Sequence, residues 1–315
     1  MDPYLLFWRS RDQSFFSRVK TWFDLLEPSN LLASNPEIQN AHSRLTSGET
    51  LNKKDDSDLM LSLASVHADS GTVIPLIFRP PALFPIAGPV VVASFLPHTQ
   101  VKIALFWQFL LQSYSAGFNY THRNTSAEQR GKKLPMKELL LIAGTVSYTT
   151  CAGALPQILV NRLGVRSPPA QIFLRSWLPI PLSAALAFFN VLTVRSDEAD
   201  AGIQVFDYSG KPVGISKAAG EKAVRETAIS RALLLGVTAA LPYMLVSLLE
   251  RTRFFQRNSL LVAPVRNVSG VFVFALMLPV SLGLFPQLGT IKREMLEKEL
   301  QAATVSTKLF YHRGV

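Results

Sequence analysis

A stripe of amide and hydroxyl side chains crosses an apolar segment of the chain. Gln108, Gln112, Ser115 and Asn119 are spaced by four, three and four residues, while leucine, isoleucine and phenylalanine fill most positions around them. That spacing places the four polar residues on one face of an α-helix. Because hydrocarbon cannot hydrogen-bond an amide, we expect this face to meet a helix bundle or a watery cavity. Two uses stay open: polar contacts between packed helices, or the wall of a solute pathway.

Other apolar segments carry polar residues that could line the same pathway. Uncharged amides and hydroxyls suit a small zwitterion, whose charges the ends of helices can complement. Arg195 follows directly after an apolar run and could hold a carboxylate of the solute, although a basic side chain there more commonly extends to the membrane interface. The remaining pathway candidates are Tyr148, Gln157, Asn190 and Thr238.

No catalytic or cofactor motif accompanies these residues. The sequence contains no phosphate-binding loop, no H-E-x-x-H, no G-x-S-x-G and no dinucleotide-binding glycine motif. The five histidines show no ligand spacing, and Cys151 is the single cysteine, so no disulfide or cysteine-ligated cluster can form within one chain. His67 and Asp69 could form an acid–base pair, but a turn in which Asp69 caps a backbone amide is the commoner use. We expect no enzyme, no cofactor, no metal and no nucleic-acid partner.

Composition favours a membrane protein. Of 315 residues, 48% are hydrophobic and 17% are charged, whereas a soluble domain carries about a quarter charged residues. The net charge of +10 comes from basic residues that lie almost wholly between apolar runs, as in membrane proteins. The N-terminus lacks the features of a secretory signal, and acidic residues make it a poor transit peptide. The spacing of Phe15, Val19, Trp22 and Leu26 predicts an amphipathic helix instead.

The apolar runs predict an all-α multi-pass membrane protein with about five transmembrane helices. These spans are 101–119, 138–160, 177–194, 229–249 and 267–286. Residues 82–96 are too short to cross a membrane and contain two prolines, so they predict a broken or re-entrant helix. We therefore divide the chain into an N-terminal soluble or interfacial helical region (1–81), a membrane bundle (82–286) and a C-terminal tail (287–315) with a charged, solvated helix.

The loops add four expectations. Loop 195–228 has alternating apolar residues around Ser209-Gly210, which predicts a small β-hairpin, and Ser216 is suited to cap the next helix. Basic residues are more numerous in loops 120–137 and 195–228, so we expect these two loops to share one side of the membrane. Polar residues Asn52–Asp58 predict a loop before a helix at Leu59–Val66.

The segment Gln112–Asn124 resembles the signature of the sideroflexins, which are mitochondrial multi-pass membrane proteins. Gln112-Ser-Tyr114, Asn119-Tyr120 and Arg123-Asn124 keep the register of that signature, while Leu111, Ser115 and His122 replace its asparagines. The resemblance spans nearly the whole chain, and Ala223–Thr227, Phe285–Gly289 and Phe310–Val315 resemble a divergent fourth branch of the family. Its signature residues here are His67, Asp69, Gly71, Tyr114, Tyr120, Arg123, Asn124, Asp207, Ser230, Arg231, Pro286 and Gln287.

The resemblance implies a carrier of a small neutral amino acid in the mitochondrial inner membrane. The replaced amides put serine as the solute in doubt. For the divergent branch, the resemblance also implies a role in the assembly of respiratory complex I and in iron homeostasis. The alternative is a membrane scaffold that helps to assemble complex I without transporting anything. The implied partners are inner-membrane lipids, complex I assembly factors and the transported amino acid.

Overall fold

The N-terminal region is helical. The computed structural model describes residues 7–8, 14–47, 53–98, 100–124, 136–162 and 167–315. The first helices are α1 (Phe15–Leu25), α2 (Asn35–Ser47) and α3 (Lys53–Ser65). Helix α1 is amphipathic, since it buries Trp22 and Leu25 and exposes Phe16 and Phe23. Of the predicted apolar stripe, Trp22 is buried and Phe15 is exposed. Its N-terminus is capped by Ser14, whose Oγ accepts a hydrogen bond from the backbone N–H of Ser17 at 3.2 Å.

Helix α3 begins earlier than the sequence predicts. The loop expected over Asn52–Asp58 is wrong from Lys53 onward, where α3 starts; Asn52 itself lies outside the described residues. Residues 53–58 are all polar, so the apolar periodicity that identifies a helix first becomes visible at Leu59.

A broken helical segment follows. It consists of 3₁₀ turns at Leu76–Phe78 and Pro80–Ala82, a π-turn at Leu83–Ala87 and helix α4 (Gly88–Phe95). The segment predicted to be a broken or re-entrant helix, 82–96, lies almost wholly in one short apolar helix, Pro80–Phe95, whose turns change from 3₁₀ through π to α. Pro85 lies inside the π-turn and Pro89 at the start of α4, where a proline without a backbone N–H is tolerated.

The remaining helices form a bundle. In chain order they are α5 (Val101–Thr121), α6 (Met136–Arg162), α7 (Pro168–Ile172), α8 (Pro179–Val194), α9 (Ser196–Ala201), α10 (Lys217–Leu249), α11 (Arg253–Arg257) and α12 (Val262–Leu282). A π-turn at Phe173–Trp177 joins α7 to α8. Helix α10 packs along α8 and α12, and α5 packs along α6.

Four helical stretches are long and apolar enough to cross a membrane. They are Met136–Asn161, Pro169–Val194, Lys217–Leu249 and Val262–Leu282, which correspond to four of the five predicted spans. The first predicted span, 101–119, lies within α5, which has 21 residues. The amides of Gln108, Gln112 and Asn119 lower the mean hydropathy of α5. Helix α5 is long enough to span a membrane but is therefore less apolar than the four stretches above.

The C-terminal residues form a sheet with the hairpin of the loop. The predicted hairpin is confirmed as strands β1 (Ile203–Phe206) and β2 (Pro212–Ser216). The segment expected to be a C-terminal tail instead supplies strands β3 (Leu288–Lys292) and β4 (Lys308–His312), with a short helix α13 (Lys298–Ala303) between them. The sheet is antiparallel in the order β2-β1-β4-β3.

The sheet packs on the start of α10. Val205, Leu309 and Tyr311 of the sheet are fully buried against Ala219 and Ala223. The cap predicted at Ser216 is confirmed, because its Oγ accepts a hydrogen bond from the N–H of Ala219 at 3.2 Å. This packing fixes α10 at the sheet, and α10 then continues through the bundle and carries the residues of the site.

Candidate solute site

The predicted polar stripe of α5 is buried. Gln108 is 9% exposed, Gln112 4% and Asn119 3%, so three of its four members face inward. Asn119 Nδ2 donates a hydrogen bond to Asn190 Oδ1 on α8 at 3.0 Å. Gln108 Nε2 donates to the backbone oxygen of Ser94 at 3.3 Å. The pathway candidates on α5 and α8 therefore meet as the sequence predicts, and some of their capacity for hydrogen bonds goes to helix packing.

A central cavity lies beside this stripe. Its volume is about 290 Å³, and Gln108, Gln112 and Gln157 are among the residues that line it. This volume is near the lower end of the ~300–1,000 Å³ found for small-molecule sites. Arg175 and Arg266 also line the cavity, and the described residues around it include no Asp or Glu. The central cavity can therefore accept a small polar solute and favours negative over positive charge.

Gly153 of α6 makes room for one wall of the central cavity. A Cβ atom at this position would overlap Gln108 Oε1 and Cδ. The glycine lets the amide of Gln108 lie directly against α6. Gln157, one turn farther along α6, donates from Nε2 to the backbone oxygen of His98 at 2.9 Å.

A second, inner cavity lies deeper along α5. It has a volume of about 50 Å³, and Leu111 and Leu235 line both cavities and separate them. Ser115, Asn119 and Arg231 are the polar residues of the inner cavity, together with Tyr114. Ser115 therefore lines a cavity with Asn119, as the stripe predicts.

Four predicted pathway residues line neither the central nor the inner cavity: Tyr148, Arg195, Thr238 and Asn190, the last of which is hydrogen-bonded to Asn119. Tyr148 is 60% exposed on the outer face of α6, where its ring packs edge-on against Phe189. Thr238 is buried in α10, and its Oγ1 donates to the backbone oxygen of Leu234 at 2.7 Å.

Arg195 belongs to a buried ionic cluster rather than to a cavity. Its guanidinium is 0% exposed and forms two hydrogen bonds with the carboxylate of Glu198, one of them from Nη2 to Oε2 at 2.8 Å. Nη2 also donates to the backbone oxygen of Arg313 at 2.7 Å, and Nη1 donates to Thr227 Oγ1 at 3.2 Å. Two expectations are corrected: Arg195 does not extend to an interface, and the carboxylate that it holds belongs to the chain itself.

A third cavity is lined by histidines. His42, His67, His122 and His312 surround a space of about 50 Å³ between the N-terminal region and the C-terminus. Within the described residues, no group of three or more His, Cys, Asp or Glu side chains is arranged to hold a metal ion. His122 Nδ1 donates to the backbone oxygen of Phe118 at 3.0 Å, which leaves Nε2 as the nitrogen with the lone pair.

Comparison with known proteins identifies the family. The family model for sideroflexins matches residues 8–315. The chain belongs to the sideroflexin family. It is 51% identical to Sideroflexin-4 of Danio rerio over the full length of both chains. It is 34% identical to Sideroflexin-4 of Homo sapiens, covering all of this chain and 93% of the human one. It is 30% identical to human Sideroflexin-5, covering 98% of this chain and 91% of that one. No solved structure matches the chain.

Several sideroflexin signature residues join the helices on the sheet side of the bundle. Asn124 Nδ2 donates to Glu198 Oε2 and to the backbone oxygen of His312, each at 2.9 Å. Arg123 Nη1 lies 2.9 Å from Glu138 Oε2 and 3.4 Å from Asp197 Oδ2. The Arg123 guanidinium also lies over the ring of Tyr120. These contacts bring the described parts of loops 120–137 and 195–228 together, although residues 125–135 lie outside the described part. We call Arg123, Asn124, Arg195 and Glu198 the polar clamp.

The signature residues around His67 form a turn. His67 Nδ1 accepts from the backbone N–H groups of Asp69 and Ser70 at 3.3 and 3.2 Å, and Nε2 donates to the backbone oxygen of Arg123 at 2.9 Å. The histidine therefore caps the turn, in the role expected of the Asp69 carboxylate. Gly71 completes the turn with φ = 67°, a conformation that favours glycine. Burial is the largest influence on His67 and lowers its pKa below 6.5.

Other signature residues also serve local structure. Asp207 Oδ1 accepts from the N–H groups of Ser209 and Lys211 at 2.8 and 2.9 Å in the hairpin turn. Hydrogen bonds, with that from the Ser209 hydroxyl foremost, lower the pKa of Asp207. Pro286 precedes β3, and the backbone oxygen of Gln287 accepts from the N–H of Arg313 at 3.0 Å. Ser230 Oγ donates to the backbone oxygen of Thr227 at 2.8 Å.

Arg231 lines a cavity, although it is not among the predicted pathway residues. From the sequence it is only a signature residue beside Ser230, but it lies in α10 at the inner cavity and is 9% exposed. Its guanidinium carbon lies 5.3 Å from the centre of the Phe118 ring. Neither Nη1 nor Nη2 has a hydrogen-bond partner among the described residues. An arginine within an otherwise apolar helical run is the signal that points to such a site.

Proposed function

We propose that this protein is a mitochondrial inner-membrane carrier of the sideroflexin type that moves a small neutral amino acid other than serine. The observation that carries the proposal is the central cavity of about 290 Å³, lined by Gln108, Gln112 and Gln157 inside an apolar bundle. Buried amides inside such a bundle are costly to keep unless packing or a solute uses them. Membership of the family supports the membrane setting.

Roles in complex I assembly and in iron homeostasis are part of the proposal and rest on the family resemblance alone. A scaffold that assists complex I assembly without transport is the second candidate. One observation favours it: the signature residues Arg123, Asn124 and Asp207 serve loop and helix contacts, and none of them lines the central cavity.

The test is uptake of labelled amino acids into liposomes that hold the purified protein. The Gln112→Leu, Asn119→Leu double variant removes one amide from each of the two cavities. A carrier should show saturable uptake of at least one small neutral amino acid, and the double variant should lose it while remaining folded by thermal unfolding. Tyr148→Leu is the matched control, because Tyr148 lies on the outer face of α6 and its loss should leave uptake unchanged.

If folded wild-type protein takes up none of the labelled amino acids above background, the result would contradict the carrier and favour the scaffold. Equal loss of uptake in Tyr148→Leu would show that the double variant acts through general damage. In the scaffold case, the double variant should still restore complex I in cells that lack the protein.

A further inference from the structure

The inner cavity contains a buried cation without a counter-ion. Arg231 keeps its charge at any physiological pH, because a guanidinium does not deprotonate in proteins. The side chain is 9% exposed, and both terminal nitrogens lack a hydrogen-bond partner among the described residues. A buried charge left unpaired is strongly destabilising, so a partner of opposite charge is expected at this position.

The surroundings of Arg231 do not supply that partner. The described residues that line the inner cavity include no Asp or Glu. The nearby charged side chains are Arg313 and Arg195, which have the same sign, and the Tyr114 hydroxyl beside Arg231 donates to the backbone oxygen of Ile77. The carboxylate of Glu198 is already hydrogen-bonded to Arg195 and Asn124. The ring of Phe118 covers part of the guanidinium but accepts no conventional hydrogen bond.

A second group in the same cavity also lacks a partner. Asn119 is 3% exposed, its Nδ2 donates to Asn190, and its Oδ1 accepts from no described residue. The inner cavity therefore presents a cationic donor and a neutral acceptor together. A carboxylate complements the first, and an ammonium group complements the second.

We propose that Arg231 binds the carboxylate of the transported amino acid and that Asn119 Oδ1 accepts a hydrogen bond from its ammonium group. The inference rests on the proposed function, and it names the residues that recognise the solute. The inner cavity of about 50 Å³ is several times the ~10–15 Å³ of probe volume that one water needs, so it has room for a group of a few heavy atoms such as a carboxylate. Leu111 and Leu235 separate this group from the wider central cavity.

The experiment measures thermal unfolding of the purified full-length protein in chloride-free buffer. The probes are glycine, alanine, alaninamide, acetate and chloride. At a hundredfold excess over Kd, glycine or alanine should raise the melting temperature by about 5–10 °C. Alaninamide lacks the carboxylate and should give no shift, whereas acetate should give a smaller one.

Variants assign the effect to Arg231. Arg231→Gln should weaken the apparent affinity for alanine by about 10- to 100-fold, because it removes charged hydrogen bonds. Arg231→Lys keeps the charge but cannot form bidentate hydrogen bonds with a carboxylate, so it should retain partial binding of alanine. The matched control is Arg225→Gln, which removes an exposed arginine from the same helix and should bind alanine as the wild type does.

Ser115→Asp provides a test that does not depend on the folding of Arg231→Gln. Ser115 lines the inner cavity, so an aspartate there supplies a tethered counter-ion. This variant should melt at a higher temperature than the wild type without any probe, and alanine should no longer raise that temperature.

Four results would overturn the proposal, and the first three concern the pattern of shifts. These three are an alanine shift that survives in Arg231→Gln, an equal shift with alaninamide, and a chloride shift to which alanine adds nothing. The absence of a shift with both glycine and alanine would overturn it as well. The proposed function can fail separately from this site. Alanine binding that requires Arg231, without any uptake, would refute the carrier. Uptake that is retained in Arg231→Gln would refute only the assignment of Arg231.

Discussion

Replacement of His122 by asparagine should flatten the dependence of stability on pH. His122 is 3% exposed, and its ring stacks on Phe118 with centroids 4.2 Å apart. It lies just beyond the end of α5. Burial is the largest influence on it and lowers the pKa of His122 from 6.5 to about 3. The folded protein therefore keeps this ring neutral under conditions in which an unfolded chain protonates it.

The sign and size of the effect follow from this difference in proton binding. Below pH 6.5 the unfolded chain binds more protons than the folded one, so stability falls as the pH falls. At pH 5 the unfolded histidine is almost fully protonated and the folded one is not. For a pKa change from 6.5 to about 3, the free energy of unfolding should drop by about 2 kcal/mol between pH 7 and pH 5. The lowered pKa of His67 acts in the same direction.

His122→Asn removes the titrating group and the stacked ring together. Loss of the stacking should cost about 0.5–1.5 kcal/mol at both pH values. The variant should therefore be less stable than the wild type at pH 7 and equally or more stable at pH 5. The measurement is thermal unfolding in detergent at the two pH values, where about 2 kcal/mol corresponds to roughly 4–8 °C.

Leu288→Ala is the control for a loss of stability without titration. Leu288 is 6% exposed in the same core, and its truncation should lower stability by about 2–5 kcal/mol at both pH values. If the difference in melting temperature between pH 7 and pH 5 is the same in His122→Asn as in the wild type, the assigned role of His122 is refuted.

Two glycines give further predictions. Gly153→Ala should reduce amino-acid uptake by at least about tenfold with little loss of stability, because the new Cβ displaces the Gln108 amide from the central cavity. Uptake kinetics in liposomes measure this effect. Unchanged uptake would contradict the position of Gln108. Gly220→Ala should lower the free energy of unfolding by about 1–3 kcal/mol or more, because its Cβ overlaps the backbone oxygen of Glu198; a melting temperature equal to that of the wild type would contradict this contact. Gly144→Ala serves both as control, since nothing lies within 4 Å of the added Cβ.

The inward position of the α5 stripe could be predicted because it depends on local spacing. Gln108, Gln112 and Asn119 fall on one helical face. Because lipid cannot hydrogen-bond an amide, this face has to pack inside the bundle. The same reasoning succeeds for Asn190, which meets Asn119. It fails for Tyr148, because a tyrosine is amphipathic and is stable at an exposed position.

The sheet and the partner of Arg195 could not be predicted because both depend on distant or competing contacts. Strand β1 pairs with β4, about a hundred residues later in the chain, and short strands show no periodicity that identifies such a partner. Glu198 is three residues from Arg195 and was available as a local partner. Only the burial of the pair shows that the Arg195 guanidinium binds this carboxylate rather than one from a solute.

Helix α10 connects the polar clamp to the inner cavity. Thr227 accepts from Arg195 of the clamp, and Arg231 follows four residues later on the same face of the helix. A change in the clamp can therefore displace Arg231 without touching either cavity. For this reason, loss of transport in an Arg195 or Asn124 variant would not show that either side chain contacts the solute. Loss of transport in a Ser115 or Arg231 variant is more direct evidence of contact, because both side chains line the inner cavity and the terminal nitrogens of Arg231 have no hydrogen-bond partner among the described residues.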